Sequence, residues 1–417
     1  MKVTETQGLP RRKFLALAAA APFMARYHQL AAAERKRVKI RDVQVMVMQG
    51  GRTYTLVKIV SDDGLYGIAE AYGTPGVGVK EQILSLKPWL VGKDPLEIDT
   101  LYTHMGEGTS QLSGTRTDGS AHNLMRAVSG IEMALWDLAG KAFGLPIHHL
   151  MGGKMRDRVP VYLHAANPDI ARKVLDETKT KVLKVGLDYS DDSWSIRKGY
   201  EPTRPYHLHM TNNQVDDVVN FFAGFRKALG KEVEIGLECH AHYDTETGIQ
   251  ICNQIEPYRP LWVEEPVPSD NVESMLRIRN NTRVPIAAGE NIYTRYGFRP
   301  FLEKQALSII QPDFTKTGGL FEGMKIANMA ETYNIPVAPH GVCTPLGTLA
   351  ITHVCGVIPN LLVQEFTQYQ EKNFTELCEP VKLDAEGFLP VPDAPGIGIN
   401  LNEAAVKERL DPEFKML

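Results

Sequence analysis

The chain contains no run of 18 or more apolar residues, so no stretch of it has the length and apolarity of a membrane-crossing helix. It has no low-complexity tract and no block of like charge. Its net charge of −4 gives no electrostatic pull toward nucleic acid or an anionic membrane. The five cysteines (Cys239, Cys252, Cys343, Cys355 and Cys378) are odd in number, widely spaced and nowhere in CxxC spacing. That argues against a disulfide framework and a zinc site, and leaves them as small buried hydrophobes. What is present is 417 residues, 43% hydrophobic and 23% charged, the composition of a globular chain with a large core and two or three domains.

Residues 1–36 stand apart. Arg11-Arg12-Lys13-Phe14-Leu15 leads into an alanine-rich apolar stretch through Met24, and Ala31-Ala32-Ala33 precedes Glu34. A twin arginine, a short apolar segment and a small-residue cleavage site, in that order, form the pattern of a bacterial twin-arginine signal. The expectation is an exported, periplasmic protein whose mature chain begins near Glu34. The alternative is a cytoplasmic protein with a ragged basic N-terminus.

Residues 37–155 read as one α+β unit. Val38–Val47, Tyr54–Ser61 and Leu65–Glu70 alternate in the manner of strands and are separated by Gly50-Gly51 and Asp62-Asp63-Gly64. Helices follow. The clearest is Asn123–Phe143, with Leu124, Val128, Ile131, Leu135 and Leu138 on one face and Gly144 and Pro146 at its end. From Val159 the pattern changes to short apolar runs, each followed by a helical segment: Val161–Leu163, Val182–Val185, Val233–Leu237, Leu261–Val263, Ile286–Ala288, Leu307–Ile310, Ile335–Ala338 and Leu361–Val363. Eight such alternations predict a (β/α)8 barrel over residues 156–367. The turn-rich segment 368–417, with Pro392, Pro395, Gly396 and Gly398, is expected to pack back on the first domain.

Polar residues fall in phase with this repeat. Glu238, Glu264, Glu290, Asp313, His340 and Glu365 each follow a successive apolar run, at gaps of 26, 26, 23, 27 and 25 residues. In a barrel the carboxyl ends of the strands converge on one face, and that face carries the active site. Carboxylates gathered there repel one another unless a cation neutralises them, and adjacent oxygen donors suit Mg²⁺. Asp313 and His340 fall on neighbouring strand ends, where a carboxylate would fix the tautomer of a general base. Lys184, in Leu183-Lys184-Val185-Gly186, either faces the same space, where it could neutralise a substrate carboxylate, or is a solvated surface lysine.

At this point the residues resemble the mandelate racemase subgroup of the enolase superfamily. The resemblance covers residues 37 to about 410. It rests on Ala134-Leu135-Trp136-Asp137-Leu138-Ala139-Gly140-Lys141, Glu264-Glu265-Pro266, Gly289-Glu290-Asn291 and Pro395-Gly396-Ile397-Gly398. The segment Glu238-Cys239-His240 is similar to that of galactonate and mannonate dehydratases. The resemblance implies one Mg²⁺ held by Glu238, Glu264 and Glu290, and a base dyad of His340 with Asp313. It implies that Glu365 hydrogen-bonds the substrate carboxylate as it becomes an enediolate, and that His240 is the acid that helps a β-hydroxyl leave. For Glu365 to donate, its pKa would have to be raised by burial and acidic neighbours. Tyr72, at the edge of the loop Tyr72–Gly78, is the substrate-binding candidate from the capping domain. That loop and Gly106–Ser120 are where stereochemical choice is expected. Relatives of this kind are often homo-oligomers.

There are departures. The first ligand is Glu238 where many relatives have Asp, and Gly186 stands where racemases of the subgroup carry a second lysine. One base rather than two favours β-elimination of water over racemisation. Asp313 with His340 points away from mannonate dehydratases, which use a different base pair, toward a galactonate-like or other acid-sugar branch. His240 has a second reading as a structural residue beside Cys239 and His242. Strand alternation would turn it inward with Glu238. The polar insertion 189–211, with Trp194, Arg197, Tyr206, His207 and His209, is either a cover for the substrate or a surface loop. The leading expectation is a sugar-acid dehydratase. The alternatives are a racemase, epimerase or cycloisomerase of a hydroxy or sugar acid on the same scaffold, and a non-catalytic sugar-acid-binding protein.

Overall fold

The computed structural model describes residues 38–48, 54–72, 78–113, 120–186, 209–367 and 377–410. Residues 1–37, 49–53, 73–77, 114–119, 187–208, 368–376 and 411–417 lie outside them, and with them the signal expected at 1–36 and most of the segment 189–211.

Three antiparallel strands, β1 (Ile40–Met48), β2 (Tyr54–Ser61) and β3 (Tyr66–Ala71), form the expected meander. The turn between β2 and β3 is closed by Asp63, whose Oδ1 accepts from Leu65 N at 3.1 Å, an Asp turn of the kind its sequence predicts. Helices Val79–Leu90, Ile98–Ser113 and Ser120–Phe143 follow. The last buries the face read from the sequence: Val128, Ile131 and Leu135 are fully enclosed, and Leu124 and Leu138 nearly so. It lies close against β3 because both sides lack a side chain at the crossing. A Cβ on Gly67 would stand 2.0 Å from Ala134 O, and one on Gly130 would stand 2.5 Å from Ala71 Cβ. Gly130→Ala is therefore expected to destabilise the cap by about 1–3 kcal/mol through overpacking, visible as a lower urea midpoint with an unchanged slope.

The second sheet is parallel and curls in the order β10-β4-β5-β6-β7-β8-β9. Its strands are β4 (Arg158–His164), β5 (Val182–Gly186), β6 (Glu234–Glu238), β7 (Trp262–Glu264), β8 (Ile286–Ala288), β9 (Ile309–Ile310) and β10 (Gln364–Glu365). The predicted seventh strand, Ile335–Ala338, is reduced to bridges of Val337 with Ile310 and Leu361. Pro336 and Pro339 on either side have no N–H to offer a ladder, so pairing cannot extend. Those bridges carry the sheet from β9 to β10, and β10 pairs with β4, which completes the barrel expected from the eight alternations. Tyr162, Trp262, Ala287, Ile309, Ala338 and Val363 form one apolar cluster. The rings of Tyr162 and Trp262 meet edge to face at 5.4 Å.

The C-terminal segment touches both units. β11 (Phe388–Pro390) pairs antiparallel with β4. Asp137 of the Trp136-Asp137 motif accepts from Ile397 N and Ile68 N, both at 2.8 Å, so one buried carboxylate joins β3, its own helix and the C-terminal turn.

Candidate active site at the carboxyl end of the barrel

The barrel register places the ladder side by side. Glu238 ends β6 and Glu264 ends β7, and the two are directly paired, as are Glu238 and Gly186 of β5. Glu290 lies two residues beyond β8, Asp313 three beyond β9, His340 three beyond the Val337 bridge, and Glu365 ends β10. Trp262 and Gln311 support Glu264 from below: Trp262 Nε1 donates at 3.0 Å and Gln311 Nε2 at 2.5 Å to its Oε2.

Lys184 is the centre of the cluster. It is 1% exposed, which excludes the surface reading, and its Nζ lies 2.8 Å from Glu264, 3.0 Å from Glu238 and 3.1 Å from Glu365. His340 is equally enclosed. Its Nδ1 meets Asp313 Oδ2 at 2.6 Å, and its Nε2 lies 2.8 Å from Glu290 and 3.6 Å from Glu365. Asp313 is in turn fixed by Thr315, whose N–H and hydroxyl both donate to Oδ1, at 2.8 and 2.6 Å.

The electrostatics follow from crowding. Burial works against a charged imidazole at His340, but Glu290 and Glu365 outweigh it and hold the ring well above its ordinary pKa. Burial and Glu238 push Glu264 well above the carboxylate range. Glu238 is lowered instead: burial is outweighed by Lys184 and His240. Glu265 beside them is pushed up to about 8 by burial, Glu290 and Glu238.

Glu365 corrects the sequence expectation. Burial alone would raise it, but Lys184, His340 and His164 together hold it well below the carboxylate range, so it is ionised and accepts rather than donates. His240 also arrives by a different route. β6 ends at Glu238, and His240 and Ala241 turn with φ of 46° and 57°, so strand alternation does not orient the ring. The turn itself does: His240 N donates to Glu238 Oε1 at 2.8 Å and leaves Nε2 3.9 Å from Glu238 Oε2, with the side chain partly exposed.

Two side chains join the site that the sequence analysis passed over. His164 ends β4, where the same rule of a polar residue after an apolar run would have found it, and its Nε2 meets Glu365 Oε1 at 2.5 Å. Lys316, three residues past Asp313, is 3% exposed and lies 3.8 Å from both Glu290 and Asp313. Burial disfavours its charge, but Glu290, Tyr72 and Asp313 raise its pKa. Tyr72 reaches the site from the cap, with its ring centroid 4.3 Å from Lys316 Nζ. The cap is also pinned to the loops that carry these residues. Glu70 accepts from Thr344 N at 2.6 Å, Ser129 Oγ from Gly318 N at 2.9 Å, and Glu132 from Leu320 N and Phe321 N at 2.8 and 3.0 Å. Of the insertion, only His209–Thr211 are described, and His209 pairs with Asp244 at 2.8 Å.

Among the described residues no three His, Cys, Asp or Glu side chains already converge on a metal-coordinating arrangement. Glu264 and Glu290 are met by Lys184 and His340 instead. The donor set still fits a hard divalent cation. Three carboxylates stand at or just beyond successive strand ends, and burial with the charge of Glu238 raises the pKa of Glu264, as expected where acidic groups crowd with one lysine among them.

Comparison with known proteins agrees with this geometry. The mandelate racemase/muconate lactonizing enzyme N-terminal domain matches residues 33–152, and the enolase C-terminal domain-like family matches residues 170–405. A D-xylonate dehydratase from Haloferax volcanii is 36% identical, with 89% of each chain covered. A D-galactonate dehydratase from Ralstonia pickettii is 32% identical over 85% of this chain and 91% of that protein. A solved member of the enolase superfamily from Salmonella Typhimurium superposes with a TM-score of 0.81 at 30% identity, covering 89% of this chain and 98% of that one. The mandelate racemase/muconate lactonizing enzyme-like protein from Rubrobacter xylanophilus also gives 0.81 at 30% identity, covering 91% and 99%. With both of its domains matched and its barrel carrying the acidic ladder at strand ends, the chain belongs to the mandelate racemase/muconate lactonizing enzyme family of the enolase superfamily.

Proposed function

We propose that this protein is a Mg²⁺-dependent sugar-acid dehydratase, which abstracts the proton α to a carboxylate and then eliminates water across the β-carbon. The observation that carries the reading is the His340–Asp313 dyad facing the Lys184–Glu365 cluster, with Gly186 where a second base would stand. The dehydratase names of the two curated relatives support it. Members of this superfamily generally use Mg²⁺, and here Glu238, Glu264 and Glu290 would hold it. When bound, the ion supplies positive charge to the carboxylate oxygens as the enediolate forms.

The chain's own groups have distinct tasks. His340 Nε2 takes the α-proton, while Asp313 keeps Nδ1 protonated and the ring oriented. A base must be neutral, and Glu290, 2.8 Å from Nε2, is the nearer of the two carboxylates that favour the charged ring; as a ligand of Mg²⁺ it would favour it less. Lys184 neutralises the substrate carboxylate, and ionised Glu365 keeps Lys184 and His164 in place. His240 donates the proton with which the β-hydroxyl departs as water, and the resulting enol becomes the 2-keto-3-deoxy acid.

A screen of residues 34–417 with Mg²⁺ against aldonic and aldaric acids, read by semicarbazide detection of 2-keto-3-deoxy acids, tests the reading. Solvent deuterium washing into an acid with no keto product from any would replace it with a racemase or epimerase. Isothermal titration is expected to show that EDTA removes substrate-acid binding and that Glu264→Gln weakens Mg²⁺ binding by about tenfold or more, at least what the loss of a partner behind a ligand costs. Undiminished acid binding in EDTA would favour a metal-free binding protein. We propose further that the protein works in the periplasm as a homo-oligomer, delivered by the twin-arginine leader. A fusion with Arg11 and Arg12 replaced by lysine, retained in the cytoplasm, would support the export route.

A further inference from the structure

The roof of the site carries a positive charge that no carboxylate among the described residues pairs with. Arg126 lies on the helix Ser120–Phe143, and its Cζ is 5.5 Å from the centroid of the Tyr72 ring. The same ring is 4.3 Å from Lys316 Nζ, which stands 3.8 Å from Glu290 and Asp313. Tyr72 thus meets one cation from the cap and one from the barrel. Arg126 Nε is closed off from solvent, and among the described residues it has no hydrogen-bond partner and no carboxylate pairs with the guanidinium. Other partly buried arginines are satisfied: Arg295 pairs with Glu322 at 2.6 Å, and Arg226 donates to the carbonyls of Tyr258, Gly230, Val233 and Arg259. A partly desolvated guanidinium is costly unless its fork is filled, and the group that fills it best is a carboxylate, held by two parallel hydrogen bonds.

We propose that Arg126, braced by Tyr72, binds a second carboxylate at the far end of the substrate, so that the preferred substrates are sugar diacids, the aldarates. This rests on the acid-sugar reading of the site and deepens it. The near carboxylate sits at the barrel floor with Lys184. The far end of the same chain lies under the cap, where Arg126 tells an aldarate from the aldonate that ends in a neutral CH2OH. A mono-acid leaves the partly buried guanidinium without a carboxylate, and an unpaired charge of that kind discriminates between otherwise identical ligands. The curated relatives carry the names of aldonate dehydratases, so this charge would separate the chain from them.

The test is equilibrium binding, independent of turnover. Full-length chain carrying His340→Asn is titrated calorimetrically in MgCl2 with matched pairs: galactarate and galactonate, glucarate and gluconate, xylarate and xylonate. In at least one pair the diacid is expected to bind about tenfold tighter or more, the low end of what a charge-assisted hydrogen bond contributes. Adding Arg126→Met should shrink that preference to within about threefold, and Arg126→Lys, which keeps charge but loses the fork, should fall between. Circular dichroism checks that each variant is folded. A preference that depends on Arg126, with no keto product from the wild-type enzyme on any acid, would retract the dehydratase reading and leave this inference standing. Diacids that fail to bind, that bind no tighter than their mono-acid partners, or whose advantage survives Arg126→Met overturn it.

Discussion

His340→Asn is expected to lower formation of 2-keto-3-deoxy acid by about 10³-fold or more, the range lost when a positioned general base is removed, while Mg²⁺ still binds. The imidazole is the one group in the cluster that joins an orienting carboxylate on one nitrogen to the reaction space on the other: Nδ1 meets Asp313 at 2.6 Å, and Nε2 faces Glu290 and Glu365. Asparagine keeps a polar group near Asp313 but cannot accept a carbon-bound proton. Asp313→Asn should be nearly as damaging, by about 10²–10⁴-fold, because an amide no longer enforces the tautomer that leaves Nε2 free. Rates are measured at saturating acid and Mg²⁺, with deuterium uptake at the α-carbon followed by mass spectrometry. A His340→Asn enzyme that keeps a tenth of the wild-type rate would remove this residue from the base role. Loss of keto product with deuterium uptake intact would mean that another group takes the proton and that His340 acts in the elimination step.

Much of this site could be read from the chain because a parallel barrel turns sequence spacing into position. Glu238, Glu264, Glu290, Asp313, His340 and Glu365 needed only to follow apolar runs at the interval of one β/α unit to meet at one face. What spacing cannot carry is charge balance. Glu365 is ionised because Lys184 and His164, contributed by the far end of the barrel sequence, lie 3.1 and 2.5 Å from it, and no local pattern announces that. Alternation also fails as soon as a strand ends, as at His240, where a left-handed turn takes over from β6. The seventh strand was legible as an apolar run, yet Pro336 and Pro339 leave it only the two bridges through Val337. Arg126 is illegible for another reason: its interest lies in having no carboxylate beside it among the described residues, a property of the folded surroundings rather than of the residue.

Glu132→Ala is expected to destabilise the protein by about 3–5 kcal/mol, because three donors lose their acceptor at once and buried, unpaired donors cost about 1–3 kcal/mol each without adding fully. The carboxylate is 1% exposed. It accepts from Leu320 N at 2.8 Å, Phe321 N at 3.0 Å and Trp136 Nε1 at 2.7 Å, so a cap helix closes the amino end of the barrel helix Leu320–Glu331. Gly319 makes room for it: its φ is +96°, and a Cβ there would stand 2.1 Å from Glu132 Oε2. The same loop carries Lys316, so urea unfolding and the KM for the acid should both worsen. Its ionisation adds a pH signature. Burial, opposed by the three donors, raises the pKa from 4.5 to about 7. The unfolded chain then releases this proton at lower pH than the folded one does, so folding stability from Glu132 falls as pH rises from 4.5 to 7 and is level above. Compared with Glu132→Gln, which cannot ionise, the wild type should lose about 2.5 kcal/mol of unfolding free energy between pH 5 and pH 8. A difference between the two proteins that stays constant over that range would mean that the three donors, not burial, set the charge of Glu132, and that the cap is latched to the barrel by a carboxylate ionised throughout.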